Sequence, residues 1–275
     1  MNADLKDKTF LITGASGGIG LATARLFSSE EATVIAHYRH NEKSINHLAE
    51  ELGKNCFPVQ AELSDEAQVD EMYRLALSKF PRIDGIVVNA GVWSEPEQPL
   101  HEISLERWQN ILDANLTSAF LTCRGFMKHL AEVPRESASI VLVSSTAGIF
   151  GEAGHTDYAA AKAAMAHGMT LSLKNEIIRL APRGRVNCVC PGWTDTPMAA
   201  RGMDDPELMA KVFSTMPLKK VGQPEDVASL IAFYSSEKLA GHLSGSIHVI
   251  AGGMEGRMVD GGEGNEASRK EDAPS

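Results

Sequence analysis

Thr9-Phe10-Leu11-Ile12-Thr13 runs directly into Gly14-Ala15-Ser16-Gly17-Gly18-Ile19-Gly20, and from there into Leu21-Ala22-Thr23-Ala24-Arg25-Leu26-Phe27. The first stretch is short and apolar, as a buried strand is, and the last has the apolar spacing of a helix face. The glycines between them predict a turn that delivers the chain from strand end to helix start. Unpaired N–H groups and the positive end of the helix dipole meet there, where a phosphate can be held. Gly14 permits the tight turn, Gly18 a close approach to the backbone, and Gly20 tight packing of helix on strand.

Outward from this unit the rhythm repeats. Apolar runs at residues 9–13, 33–37, 56–60, 85–89, 139–144, 185–189 and 246–250 alternate with helical patterns at 18–28, 42–52, 66–80, 105–129, 156–180 and 224–235. Strand and helix in alternation predict an α/β fold, a single doubly wound domain whose seven-stranded parallel sheet carries helices on both faces. Residues 1–253 form that domain. Within it, 191–222 breaks into Pro, Gly, Met and Trp around one short helix near 206–216, which reads as a lid over a site. Residues 254–275 turn to Gly, Glu, Asp, Ser and Lys and read as a flexible polar tail.

With 43% hydrophobic and 23% charged residues, the composition is that of an ordinary globular chain. A formal net charge of -10 opposes nucleic acid and anionic membrane as partners. No window reaches the about 18 apolar residues of a membrane span, and the N-terminus is too polar for a secretory leader. The four cysteines, Cys56, Cys123, Cys188 and Cys190, are scattered and complete no metal site. They read as reduced thiols of a cytoplasmic protein.

Further motifs follow the glycine turn in order: Asn89-Ala90-Gly91, Asn115, Ser145, Tyr158-x3-Lys162 and Pro191-Gly192. With Thr13-Gly14-x3-Gly18-x-Gly20, this set resembles the classical short-chain dehydrogenase/reductase family over roughly residues 5–253. The resemblance implies a Rossmann-type fold, a nicotinamide cofactor and interconversion of a small-molecule carbonyl with a secondary alcohol. It implies a cofactor site of Gly14, Ser16, Gly17, Gly18, Ile19, Gly20, Arg39, Glu62, Leu63, Asn89, Ala90, Gly91, Tyr158, Lys162, Pro191, Gly192, Thr194 and Thr196. One position departs: Val88 stands where the family has the first Asn of Asn-Asn-Ala-Gly.

NAD-binding chains place an acid at the end of the second strand, to accept from the ribose hydroxyls and repel a 2′-phosphate. Here Tyr38 holds that position and Arg39 follows it, offering a guanidinium fork to a phosphate. NADP is the expected cofactor, with NAD possible. Glu62 stands where the family commonly carries an acid beside the adenine.

Tyr158 and Lys162 lie one helical turn apart, so their side chains converge. A nearby ammonium favours the phenolate of a tyrosine whose ordinary pKa is about 10. By resemblance, Tyr158 is the general acid/base, Lys162 lowers its pKa and holds the ribose, Ser145 polarises the substrate oxygen and Asn115 serves the proton relay. Ser144 is the second choice for the serine. Trp93, His155 and Trp193, with Phe150 and Met198, are candidate walls of the substrate pocket.

The closest-looking relatives are 3-oxoacyl-carrier-protein reductases and glucose or polyol dehydrogenases. An acidic carrier protein would need a cationic face such as Lys128 and Arg179. An NAD-dependent alcohol dehydrogenase, an isomerase or dehydratase, and a non-catalytic cofactor sensor on the same fold are the alternatives. The long helices at 105–129 and 156–180 carry apolar faces beyond what one sheet covers, which predicts a homotetramer or homodimer.

Overall fold

The computed structural model describes residues 3–254; residues 255–275, nearly all of the expected tail, lie outside the described residues. The chain runs through β1 (Thr9–Ile12), α1 (Gly18–Ser29), β2 (Thr33–Tyr38), α2 (Glu42–Leu52), β3 (Cys56–Gln60), α3 (Glu66–Lys79) and β4 (Gly85–Val88). It continues through α4 (Leu105–Leu112), α5 (Ser118–Glu132), β5 (Ser139–Val143), α6 (Ala147–Phe150), α7 (Thr156–Ala163), α8 (Thr170–Glu176) and β6 (Arg185–Pro191). Then come α9 (Ala200–Met203), α10 (Pro206–Ser214), α11 (Pro224–Ser235), α12 (Glu237–Ala240) and β7 (Ile247–Ile250).

The strands form one seven-stranded sheet in the order β3-β2-β1-β4-β5-β6-β7, with every pairing parallel. Successive strand residues point to opposite faces, so each strand feeds two cores. Leu11, Ile35, Ile86, Ile140 and Val186 pack on one face with Met72 of α3 and Phe126 of α5. Phe10, Val34, Val87, Val141 and Val189 pack on the other with Phe27 of α1, Ile45 of α2 and Ile231 of α11. Coverage of both faces is why these strands read as unbroken apolar runs. The strand order reverses between β1 and β4, which opens a crevice above their carboxyl ends.

Two helices differ from expectation. A π-helical turn, Asp113–Thr117, separates α4 from α5, and a second, Ala164–Met169, separates α7 from α8. A wider turn leaves carbonyls without their regular partners, and side chains take them up. Asn115 Nδ2 donates to the Ile111 carbonyl at 3.0 Å, and Thr170 Oγ1 to that of Met165 at 2.9 Å. The segment after β6 holds two helices, α9 and α10, where one was expected. Its stem is closed by backbone bonds from Asp195 N to the Gly222 carbonyl (2.8 Å) and from Gly222 N to that of Trp193 (3.0 Å). Among the described residues no helix is long and apolar enough to cross a membrane.

Candidate active site

The glycine turn joins β1 to α1. Gly14 and Gly18 adopt left-handed conformations, φ 67° and 44°, which side chains resist. A Cβ on Gly20 would lie 2.2 Å from the Gly14 carbonyl oxygen, and one on Gly18 2.8 Å from Thr196 Cγ2. The helix begins at Gly17 with no side-chain cap, so the first N–H groups of α1 have no side chain competing for them. These glycines and free donors fit the pyrophosphate of a dinucleotide.

Three neighbours hold the turn. Thr13 Oγ1 accepts from Asn89 N (2.9 Å) and Ala90 N (3.0 Å), while Asn89 Nδ2 donates to the Thr13 carbonyl at 3.0 Å. Ser44 Oγ donates to the Ser16 carbonyl at 2.7 Å. Gly14 N donates to His37 Nδ1 at 3.1 Å, so the ring proton sits on Nε2, 3.0 Å from the Ala61 carbonyl. Burial pushes His37 down to about 4, which keeps it neutral. Asn89 thus braces the turn with its side chain. His37, to which the sequence assigned no role, is its second brace.

At the ends of β2 and β3, the Arg39 guanidinium pairs with the Glu62 carboxylate. Ser64 Oγ donates to Glu62 Oε1 at 2.9 Å. The Leu63 side chain is buried in the core, which leaves its backbone to face a ligand.

Past β5, Ser145 Oγ accepts from Ala147 N at 3.1 Å and hydrogen-bonds the Tyr158 hydroxyl. Ser144 instead donates to the Lys162 carbonyl at 2.7 Å, so of the two serines it is Ser145 that faces the phenol. Lys162 Nζ donates to the Val143 carbonyl at 3.0 Å and lies 5.7 Å from the Tyr158 ring centroid. Burial pushes Tyr158 up to about 12, against the opposing Ser145 bond, and Lys162 down to about 8. The lowering of Tyr158 that the sequence leads one to expect is therefore reversed in this state, because desolvation outweighs the neighbouring charge. A Cβ on Gly91 would sit 2.5 Å from Asn115 Oδ1 and 3.2 Å from Lys162 Nζ, so the loop after β4 runs into this corner. Asn115 accepts from Val92 N at 3.2 Å and donates to the Val92 carbonyl at 3.1 Å. With Ile111 also bound, its side chain is fully engaged in holding that loop.

Trp93 joins the corner to a network that sequence reasoning missed. Its ring lies 4.8 Å from that of Tyr158, edge-on, and 4.0 Å from that of His155. Ser94 Oγ donates to Asp157 Oδ1 at 3.0 Å, so at 3.2 Å it accepts from His155 Nδ1. Asp157 also accepts from Tyr158 N (2.9 Å) and Arg107 Nε (2.9 Å). These hydrogen bonds outweigh burial, which acts in the opposite sense, and hold its carboxyl below the usual range. The adjacency of Asp157 to Tyr158 was a signal; Ser94 and Arg107, far off in sequence, gave none. Across the site, Gly192 abuts Ala251, Thr194 Oγ1 donates to the Gly192 carbonyl (3.0 Å) and Thr196 Oγ1 to that of Thr194 (3.3 Å). Trp193 packs on Gly202 at the lid stem, and Phe150 and Met198 are exposed.

Residues 14–255 match the family described as enoyl-(acyl carrier protein) reductase. The chain belongs to the short-chain dehydrogenase/reductase family. It is similar to 3beta-hydroxysteroid dehydrogenase 1 of Eggerthella lenta, 36% identical over 92% of this chain and 96% of that one. A 3-oxoacyl-[acyl-carrier-protein] reductase of Synechocystis is 34% identical over 89% and 95%, respectively. A cis-4-hydroxycyclohexanecarboxylate dehydrogenase of Sinomonas cyclohexanicum is 32% identical over 92% and 98%. As a short-chain dehydrogenase/reductase, the protein is an NAD(P)-dependent enzyme that acts on CH–OH or C=O groups.

Proposed function

We propose that the protein is an NADP-preferring oxidoreductase that interconverts a ketone and a secondary alcohol, working chiefly as a reductase. The observation that carries this reading is the buried corner in which Ser145 meets the Tyr158 hydroxyl beside Lys162. With Tyr158 pushed up to about 12, the corner holds a proton ready to donate at neutral pH. In reduction, the Ser145 hydroxyl donates a hydrogen bond to the substrate carbonyl and Tyr158 transfers its proton to the same oxygen. Lys162, an ammonium below about 8, favours the phenolate left behind and holds the ribose hydroxyls. Asn115 acts by positioning the loop that carries Gly91 and Val92. The bound nicotinamide supplies or accepts the hydride.

Gly14, Ser16, Gly17, Gly18, Ile19 and Gly20 would cradle the pyrophosphate, with Thr194 and Thr196 beside it. Arg39, Glu62 and Leu63 flank the adenosine end, Asn89, Ala90 and Gly91 line the middle, and Pro191 and Gly192 back the nicotinamide. Trp93 and His155 wall the substrate, with Trp193 at the lid. The names of the relatives have in common a hydroxyl or oxo group on a ring or chain carbon. A free small molecule suits this chain better than a carrier protein, because Lys128 is already paired with Asp70 at 3.4 Å. The four free cysteines support a cytoplasmic setting. Exposed Phe120 of α5 and Leu171 of α8 support a homotetramer or homodimer.

A second reading, an NAD-dependent alcohol dehydrogenase, is favoured by the Glu62 carboxylate beside Arg39. Steady-state kinetics with both reduced cofactors and a panel of ketones decides between the two. NADPH should give the higher kcat/KM, and Tyr38→Asp with Arg39→Leu should reverse the order. A wild-type preference for NADH establishes the second reading instead.

A further inference from the structure

We propose that Glu62 is a specificity-determining residue: by holding Arg39, it limits how tightly the protein grips a 2′-phosphate. This rests on the reading of Arg39 given under Proposed function. The pair bridges the ends of β2 and β3, where the adenosine end of a dinucleotide lies in a sheet of this topology. Both partners are positioned. Glu62 Oε1 accepts from Ser64 Oγ at 2.9 Å and Ser64 N at 3.2 Å, and Gln60 Nε2 donates to the Arg39 carbonyl at 2.8 Å. The carboxylate is the better buried, at 27% side-chain exposure against 48% for Arg39.

A carboxylate and a phosphate are alternative partners for one guanidinium fork. A cofactor with a 2′-phosphate has to draw Arg39 away from Glu62 and leaves that carboxylate unpaired beside a dianion. A cofactor with a free 2′-hydroxyl leaves the pair intact and can donate to the same carboxylate. Glu62 therefore taxes only the phosphorylated cofactor and keeps the preference shallow. In the sequence alone Glu62 reads as the acid beside the adenine; its grip on Arg39 is visible only in the structure.

Titration calorimetry of the full chain with adenosine 2′,5′-bisphosphate and adenosine 5′-monophosphate tests this, since the two ligands differ only in the 2′-phosphate. Glu62→Gln should tighten the bisphosphate about fivefold, the scale of one exposed ion pair, and leave the monophosphate nearly unchanged. The gain should vanish in an Arg39→Leu background, and the NADPH to NADH ratio of kcat/KM should rise in step. No gain in Glu62→Gln overturns the proposal, and so does an equal gain with and without Arg39, which assigns plain repulsion. Arg39→Leu alone separates the two readings. If it leaves bisphosphate affinity unchanged, Arg39 is no phosphate ligand and the cofactor assignment fails before the Glu62 result is consulted.

Discussion

The glycine turn and the Tyr158 corner lie on either side of the strand-order reversal and are built on opposite principles. At the turn, function is shape: Gly20 leaves no room for a Cβ, and the brace behind it, His37, is held neutral. At the corner, function is charge: Tyr158 is pushed up to about 12 and Lys162 down to about 8, within one turn of α7. Burial is the first cause in all three cases. What differs is what the fold asks of the shifted group, since His37 serves by not ionising and the corner pair by being poised to exchange a proton.

The sharpest break between the regions is Tyr158→Phe. It removes the proton donor and leaves the cradle intact, so kcat should fall by about 10²–10⁴ while cofactor affinity stays within a few fold. Stopped-flow cofactor binding beside steady-state turnover checks both halves, and full turnover in the variant would remove Tyr158 from the mechanism.

His37 tests the other side. Its folded value, about 4, lies below the ordinary 6.5, so as pH falls through that window only the unfolded chain takes up the proton. Stability contributed by neutral His37 is complete above about pH 6.5 and drains away toward pH 4, by about 3 kcal/mol in all. His37→Asn should flatten that part of the melting-temperature profile without altering the kcat of protein saturated with cofactor. An unchanged acid limb would assign the loss to other groups.

Gly20→Ala should cost about 1–3 kcal/mol of stability by overpacking and weaken cofactor binding with little change in kcat at saturation. Thermal melts with and without cofactor show whether the two losses travel together. The smallest effect is expected from pH on the corner itself. The kcat/KM for ketone reduction should decline by about tenfold per unit above about pH 8, as Lys162 loses its ammonium. A flat profile to pH 9.5 would mean the lysine works without its charge.

Sheet, turn and the Ser145–Tyr158–Lys162 set were legible in the sequence because each depends on periodicity or fixed local spacing. Strand ends moved by a residue or two, and the π-helical turns were invisible, since a wider turn leaves the residue pattern almost unchanged. The Ser94–Asp157–Arg107 network and the His37 brace were not legible either. They join residues 23 to 63 positions apart through polar contacts that no hydrophobic period encodes.

The π-helical turn Asp113–Thr117 sets how this chain tolerates insertion and deletion. It houses one residue more than regular winding needs, and Asn115 secures the slack by capping Ile111. Deleting one residue there would give a straighter and locally more regular helix. Everything after the cut would also rotate by about 100°, the angle of one residue in an α-helix. Phe126 and Leu130 would leave the core, and the loop after β4 would lose its anchor. The irregularity is a register key: α4 and α5 can shorten only together with the loop they hold, so length changes in relatives are expected outside 105–132.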